Sequence, residues 1–171
     1  MSEKREKTVF IYREPSESSQ KVEDPRFLAQ RLVNQATTLI KTYTTGQEED
    51  KRLKISLGIV LGLAYFVERW QRLVGFGKRD HRSWQKAFLK GLCEELSQLW
   101  PKGPGLNEYL ATYLETNYDL LARELDAFPL PLGERQQALV HLGRLIFEGQ
   151  GLEKDFATRA GEVLKEFFNP P

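Results

Sequence analysis

Thirteen consecutive residues, Ile55 to Val67, read "ISLGIVLGLAYFV", with no charge and no proline. No face of a helix through this run is polar, so the helix must be covered on every side. The run is short of the roughly 18 apolar residues that read as membrane-spanning and suits a buried core helix. Whatever the chain folds into is therefore organised around residues 55–67.

The flanking sequence supplies helices to do the covering. Asp24 followed by Pro25 places a carboxylate at an N-cap and proline at the first helical position. Phe27, Leu28, Leu32, Ala36, Leu39, Ile40 and Tyr43 follow at helical spacing, and Gly46 stops the run. The central helix is predicted over about 47–74, with Glu48, Glu49 and Asp50 at the positive end of its dipole. A third runs over about 80–100, with Trp84, Phe88, Leu92, Leu96 and Leu99 as its core stripe. "PKGPG" breaks it. Leu106 to Leu125, Leu139 to Ile146 and Phe156 to Phe167 carry three more apolar patterns, separated by "FPLPLG" and "EGQG". The prediction is an all-α fold: a single compact bundle of about six mostly antiparallel helices, with an extended N-terminal arm. Gly58 and Gly62, spaced as GxxxG in the central helix, predict close approach of a neighbouring backbone.

Residues 1–24 form the predicted arm, and 25–171 the helical domain. The arm holds five basic and six acidic residues, with Ser16, Ser18 and Ser19. Its one β-favouring run, Thr8, Val9, Phe10, Ile11 and Tyr12, is a candidate partner-docking segment that could add to a sheet edge. The first twenty residues contain no apolar stretch of signal-peptide length, and the lone Cys93 cannot form an internal disulfide. The expectation is a soluble, cytoplasmic protein with no membrane association.

Several chemistries are poorly served. Neither His81 nor His141 has a glutamate three residues before it, and there is no HExxH, so no metal or cofactor is predicted. Cys93 lies twelve residues after His81 on one predicted helix. That is roughly 18 Å at about 1.5 Å per residue, too far for a thiolate–imidazolium pair. "GFGKRD" lacks the preceding strand and the hydroxyl of a phosphate loop, and Glu94 and Glu95, being adjacent, point to different faces. No catalytic residue can be named, and a non-enzyme is predicted.

Charge is distributed unevenly. Residues 25–90 carry thirteen Lys or Arg against five acids, whereas residues 105–169 carry six against eleven. The basic excess concentrates in Arg69, Arg72, Lys78, Arg79, Arg82, Lys86 and Lys90. On the third helix Arg79, Arg82, Lys86 and Lys90 recur every three or four residues and predict one stripe, with Trp84 and Phe88 turned to the core. Such a stripe suits an acidic protein partner, the acidic half of another copy, or, without sequence specificity, a nucleic-acid backbone. The leading expectation is a non-catalytic helical subunit or adaptor within a larger assembly. The alternatives are a nucleic-acid-backbone binder, a small helical subunit of a nucleoprotein complex, and a bundle holding an apolar small ligand.

Overall fold

The Asp24 side chain accepts from the backbone N–H of Arg26 at 3.1 Å and Pro25 opens the first helix, as the start signal predicts. The computed structural model describes residues 23–75, 78–99, 106–126 and 135–168, and among these there are six helices and no strand. They are α1 (Pro25–Thr44), α2 (Glu49–Gly75), α3 (Lys78–Leu99), α4 (Leu106–Asp126), α5 (Arg135–Ile146) and α6 (Glu153–Phe168). The α1–α2 turn uses Gly46 at φ 82°, a left-handed conformation that a β-carbon disfavours.

The protein is an all-α bundle in which α2 is the axle. Every residue from Ile55 to Glu68 is buried except Gly58, which is half-buried. The other five helices close a ring around it, α1 against α3, α3 against α4, α4 against α5, α5 against α6 and α6 against α1. Most neighbours run antiparallel: Tyr43 meets Asp155 and Arg31 meets Glu166 across the α1–α6 seam. α1 and α3 run parallel instead: Glu23 meets Trp84 and Ala29 meets Gly91, so the two helices advance together.

At Gly58 and Gly62 side chains of a neighbouring helix press against α2. A β-carbon at Gly62 would lie 2.7 Å from Leu142 Cδ1 and closer still to Cδ2, and one at Gly58 would lie 3.0 Å from Ile146 Cγ1. Both neighbours belong to α5, and what fills the space at the two glycines is side chain rather than the close backbone that the GxxxG spacing predicts. Among the described residues no helix is long and apolar enough to cross a membrane.

The predicted arm segment Thr8–Tyr12 lies outside the described residues. Glu23 and Asp24, which composition groups with the arm, are tied to the bundle. Besides the Asp24 cap, the Glu23 N–H donates to Gln71 at 2.9 Å and its carbonyl accepts from Trp84 Nε1 at 2.8 Å.

Candidate functional site

Trp84, Phe88, Leu92 and Leu96 are all buried, which sets the azimuth of α3. Trp84 stacks at a tilt on Phe88, ring centroids 4.8 Å apart, and is no platform for a base. With that face turned inward, Arg82, Lys86 and Lys90 project outward and are exposed. None of the three pairs with a carboxylate among the described residues. Lys78 and Arg79 open the same helix, but their side chains lie outside the described residues.

The structure separates Arg69 and Arg72 from that stripe. Arg69 donates to both oxygens of Asp126 on α4, at 2.7 and 2.9 Å, and its guanidinium lies 4.6 Å from the centre of the Tyr65 ring. Tyr65 donates to the same Asp126 at 2.7 Å. Burial, with that bond to Asp126, pushes the Tyr65 hydroxyl up to about 12. Burial alone would raise the Asp126 carboxyl too, but Tyr65 and Arg69 hold it below the usual carboxylate range.

Arg72 is drawn to Glu68, a carboxylate on α2 with no exposed surface. Arg72 Nη2 donates to Glu68 Oε2 at 3.0 Å and Gln85 Nε2 donates to the same oxygen at 3.2 Å. His81 Nε2 sits against Oε2, and the Tyr118 hydroxyl donates to Oε1. Arg72 Nε lies 3.2 Å from Glu68 Oε2 and 2.8 Å from His81 Nε2. It is assigned to the carboxylate, because His81 Nε2 needs its own proton to meet Oε2. Burial pushes the Glu68 carboxyl up, yet the bonds from Tyr118 and His81 and the Arg72 charge outweigh it and keep the group ionised. The same contact, added to burial, drives the Tyr118 hydroxyl well above its usual range. One carboxylate thus joins α2, α3 and α4 beneath the basic face.

In the sequence Glu68 is one of the five acids among residues 25–90. Its position carried a signal: it follows Ala64 by four residues and Leu61 by seven, the inner spacing of a helix apolar all round. A carboxylate there must be buried, and a buried charge must be paired.

Cys93 is buried, and burial together with Glu94 and Glu108 pushes its thiol up, away from the reactive thiolate. His141 lies on α5 with Nε2 3.3 Å from Glu124 Oε1. No group of three or more His, Cys, Asp or Glu among the described residues is arranged to hold a metal ion.

No protein-family model, curated protein or solved structure matches the chain.

Proposed function

We propose that this protein is a non-catalytic helical subunit or adaptor of a larger assembly, and that the outward face of α3 docks an acidic protein partner. One observation carries the reading: Arg82, Lys86 and Lys90 are exposed at one-turn intervals and have no ion partner among the described residues, while the neighbouring Arg69 and Arg72 are neutralised within the fold. A helix held firmly by a buried network and presenting unpaired cations is suited to charge-guided docking. The test is affinity isolation of the wild type and of Arg82→Glu/Lys86→Glu from native cell extract. Protein partners retained by the wild type and lost by the charge reversal support the reading. Partners retained equally by both would overturn it.

A nucleic-acid backbone is the second reading, favoured by the same regular spacing of cations on one ridge. The neighbouring α4 weighs against it, because Glu115 and Asp119 are exposed there and would repel phosphate. A salt titration with single- and double-stranded oligonucleotides separates the two: binding at low salt that fades steeply as salt rises supports the backbone reading. An apolar ligand is less well supported, since Ile146 and Leu142 fill the space beside Gly58 and Gly62.

A further inference from the structure

The charges on α3 have opposite numbers on α4. Arg82 and Lys86 share an azimuth on α3 with Cys93, at i, i+4 and i+11, and Glu108, Glu115 and Asp119 share one on α4, at i, i+7 and i+11. The buried Glu68 ties both helices in register, since its carboxylate meets His81 and Gln85 of α3 and Tyr118 of α4. Counting outward from that tie along antiparallel helices puts Arg82 level with Asp119, Lys86 with Glu115 and Cys93 with Glu108. Agreeing with this register, the Glu108 carboxylate contributes to the raised thiol of Cys93. The outside of the α3–α4 pair is therefore basic along one ridge and acidic along the other, at matched heights. Arg82, Lys86, Glu115 and Asp119 are all exposed, and none is in an ion pair among the described residues.

A surface of this kind is self-complementary. A two-fold axis running along the groove between the ridges lays α3 of one copy over α4 of the other and preserves heights. The same operation lays the first copy's α4 under the second copy's α3, so the contact closes at two chains. We propose that the acidic partner of the α3 face is α4 of a second copy of this chain, in a reciprocal dimer pairing Arg82 with Asp119 and Lys86 with Glu115 of the opposite copy. The pairing rests on α3 being the docking face, as proposed above, and supplies the identity of its partner. Because the contacts are exposed charges, the dimer is salt-sensitive.

The test uses the full chain and two charge-reversal variants, Arg82→Glu/Lys86→Glu and Glu115→Lys/Asp119→Lys, with mass measured by sedimentation equilibrium. The first variant is acidic on both ridges and the second basic on both, so each repels itself and is complementary to the other. The wild type is expected as a dimer at low salt that dissociates as ionic strength rises beyond about 0.15 M. Each variant alone is expected as a monomer, and their equimolar mixture as a heterodimer. A wild type that stays monomeric at low salt, variants that dimerise alone, or a mixture that stays monomeric overturns the pairing. Should a variant melt early, Lys86→Gln and Glu115→Gln take its place, and undiminished dimerisation by both overturns the pairing as well. If the wild type is monomeric yet Arg82→Glu/Lys86→Glu still loses cellular partners, α3 remains a docking face and only the self-pairing fails.

Discussion

The hydroxyl of Tyr118 on α4 donates to the carboxylate of Glu68 on α2, and both side chains are buried. The contact spans fifty residues of sequence and puts a charged group in the core, where the other buried polar side chains among the described residues, Thr44, Ser56 and Gln71, are neutral. Glu68→Ala removes the acceptor but leaves the Tyr118, Gln85, His81 and Arg72 donors, two of them exposed less than a quarter or not at all. Breaking a buried charge cluster from one side costs about 3–5 kcal/mol. Tyr118→Phe, which takes away one bond to a charged group, should cost about 1.5–3 kcal/mol. Urea denaturation measures both, and a Glu68→Ala loss below Tyr118→Phe would show that the cluster is not centred on the carboxylate.

The same carboxylate gives stability a pH dependence of definite sign. Its folded pKa lies below the unfolded value, about 4.3 for glutamate, so its contribution is fully present above that pH and is lost as pH falls through the folded pKa. Asp126 is shifted in the same direction and adds to the slope. Denaturation midpoints should therefore fall on acidification below about pH 4.3. Glu68→Gln should flatten that fall while lowering stability at neutral pH. An unchanged acid slope in Glu68→Gln would place the titrating group elsewhere.

Gly62 and Gly58 should respond differently to a methyl group. Gly→Ala in a helix gains about 1 kcal/mol from backbone propensity. At Gly62 that gain is opposed by a clash with the buried Leu142, typically about 1–3 kcal/mol, whereas at Gly58 the half-buried Ile146 has room to give. Thermal melting should show Gly62→Ala less stable than Gly58→Ala. Equal melting of the two would mean that α5 packs less closely on α2 than its contacts imply.

Trp84→Ala and Lys86→Glu, two residues apart, should separate core from surface. Trp84 is 2% exposed and its Nε1 anchors the Glu23 carbonyl, so truncation should cost about 3–5 kcal/mol. Lys86 is exposed with no ion partner among the described residues, and reversal there should stay within about 0.5 kcal/mol. Chemical denaturation of both variants decides the matter; a large cost at Lys86 would mean that its aliphatic stem is part of the packing.

A chain shortened to begin at Glu23 should keep its helical circular-dichroism signal and its cooperative melting. The described contacts at this end begin with the Glu23 N–H on Gln71 and the Asp24 cap. Loss of cooperativity on removing residues 1–22 would make the Thr8–Tyr12 segment a part of the folded unit.

The sequence by itself determined the elements and most of their faces, although Phe27 and Leu99, which the spacing assigns to apolar stripes, are exposed. The Asp24–Pro25 start, the Gly46 stop, the all-round apolar character of residues 55–67 and the Trp84–Phe88–Leu92–Leu96 stripe are local patterns, written within one or two helical turns. Helix formation and face selection depend on spacings of that range, so a buried α2 with five further helices around it was legible. Ionic partnership has no such local spacing. Arg69 and Asp126 are 57 residues apart, and nothing within a turn of either distinguishes Arg69, drawn to a carboxylate, from Arg82, left exposed. Only the packing of α2, α3 and α4 decided which cations of the basic stretch are neutralised. Coulombic pairing depends on distance in space, and that distance is set by how helices far apart in the chain are brought together.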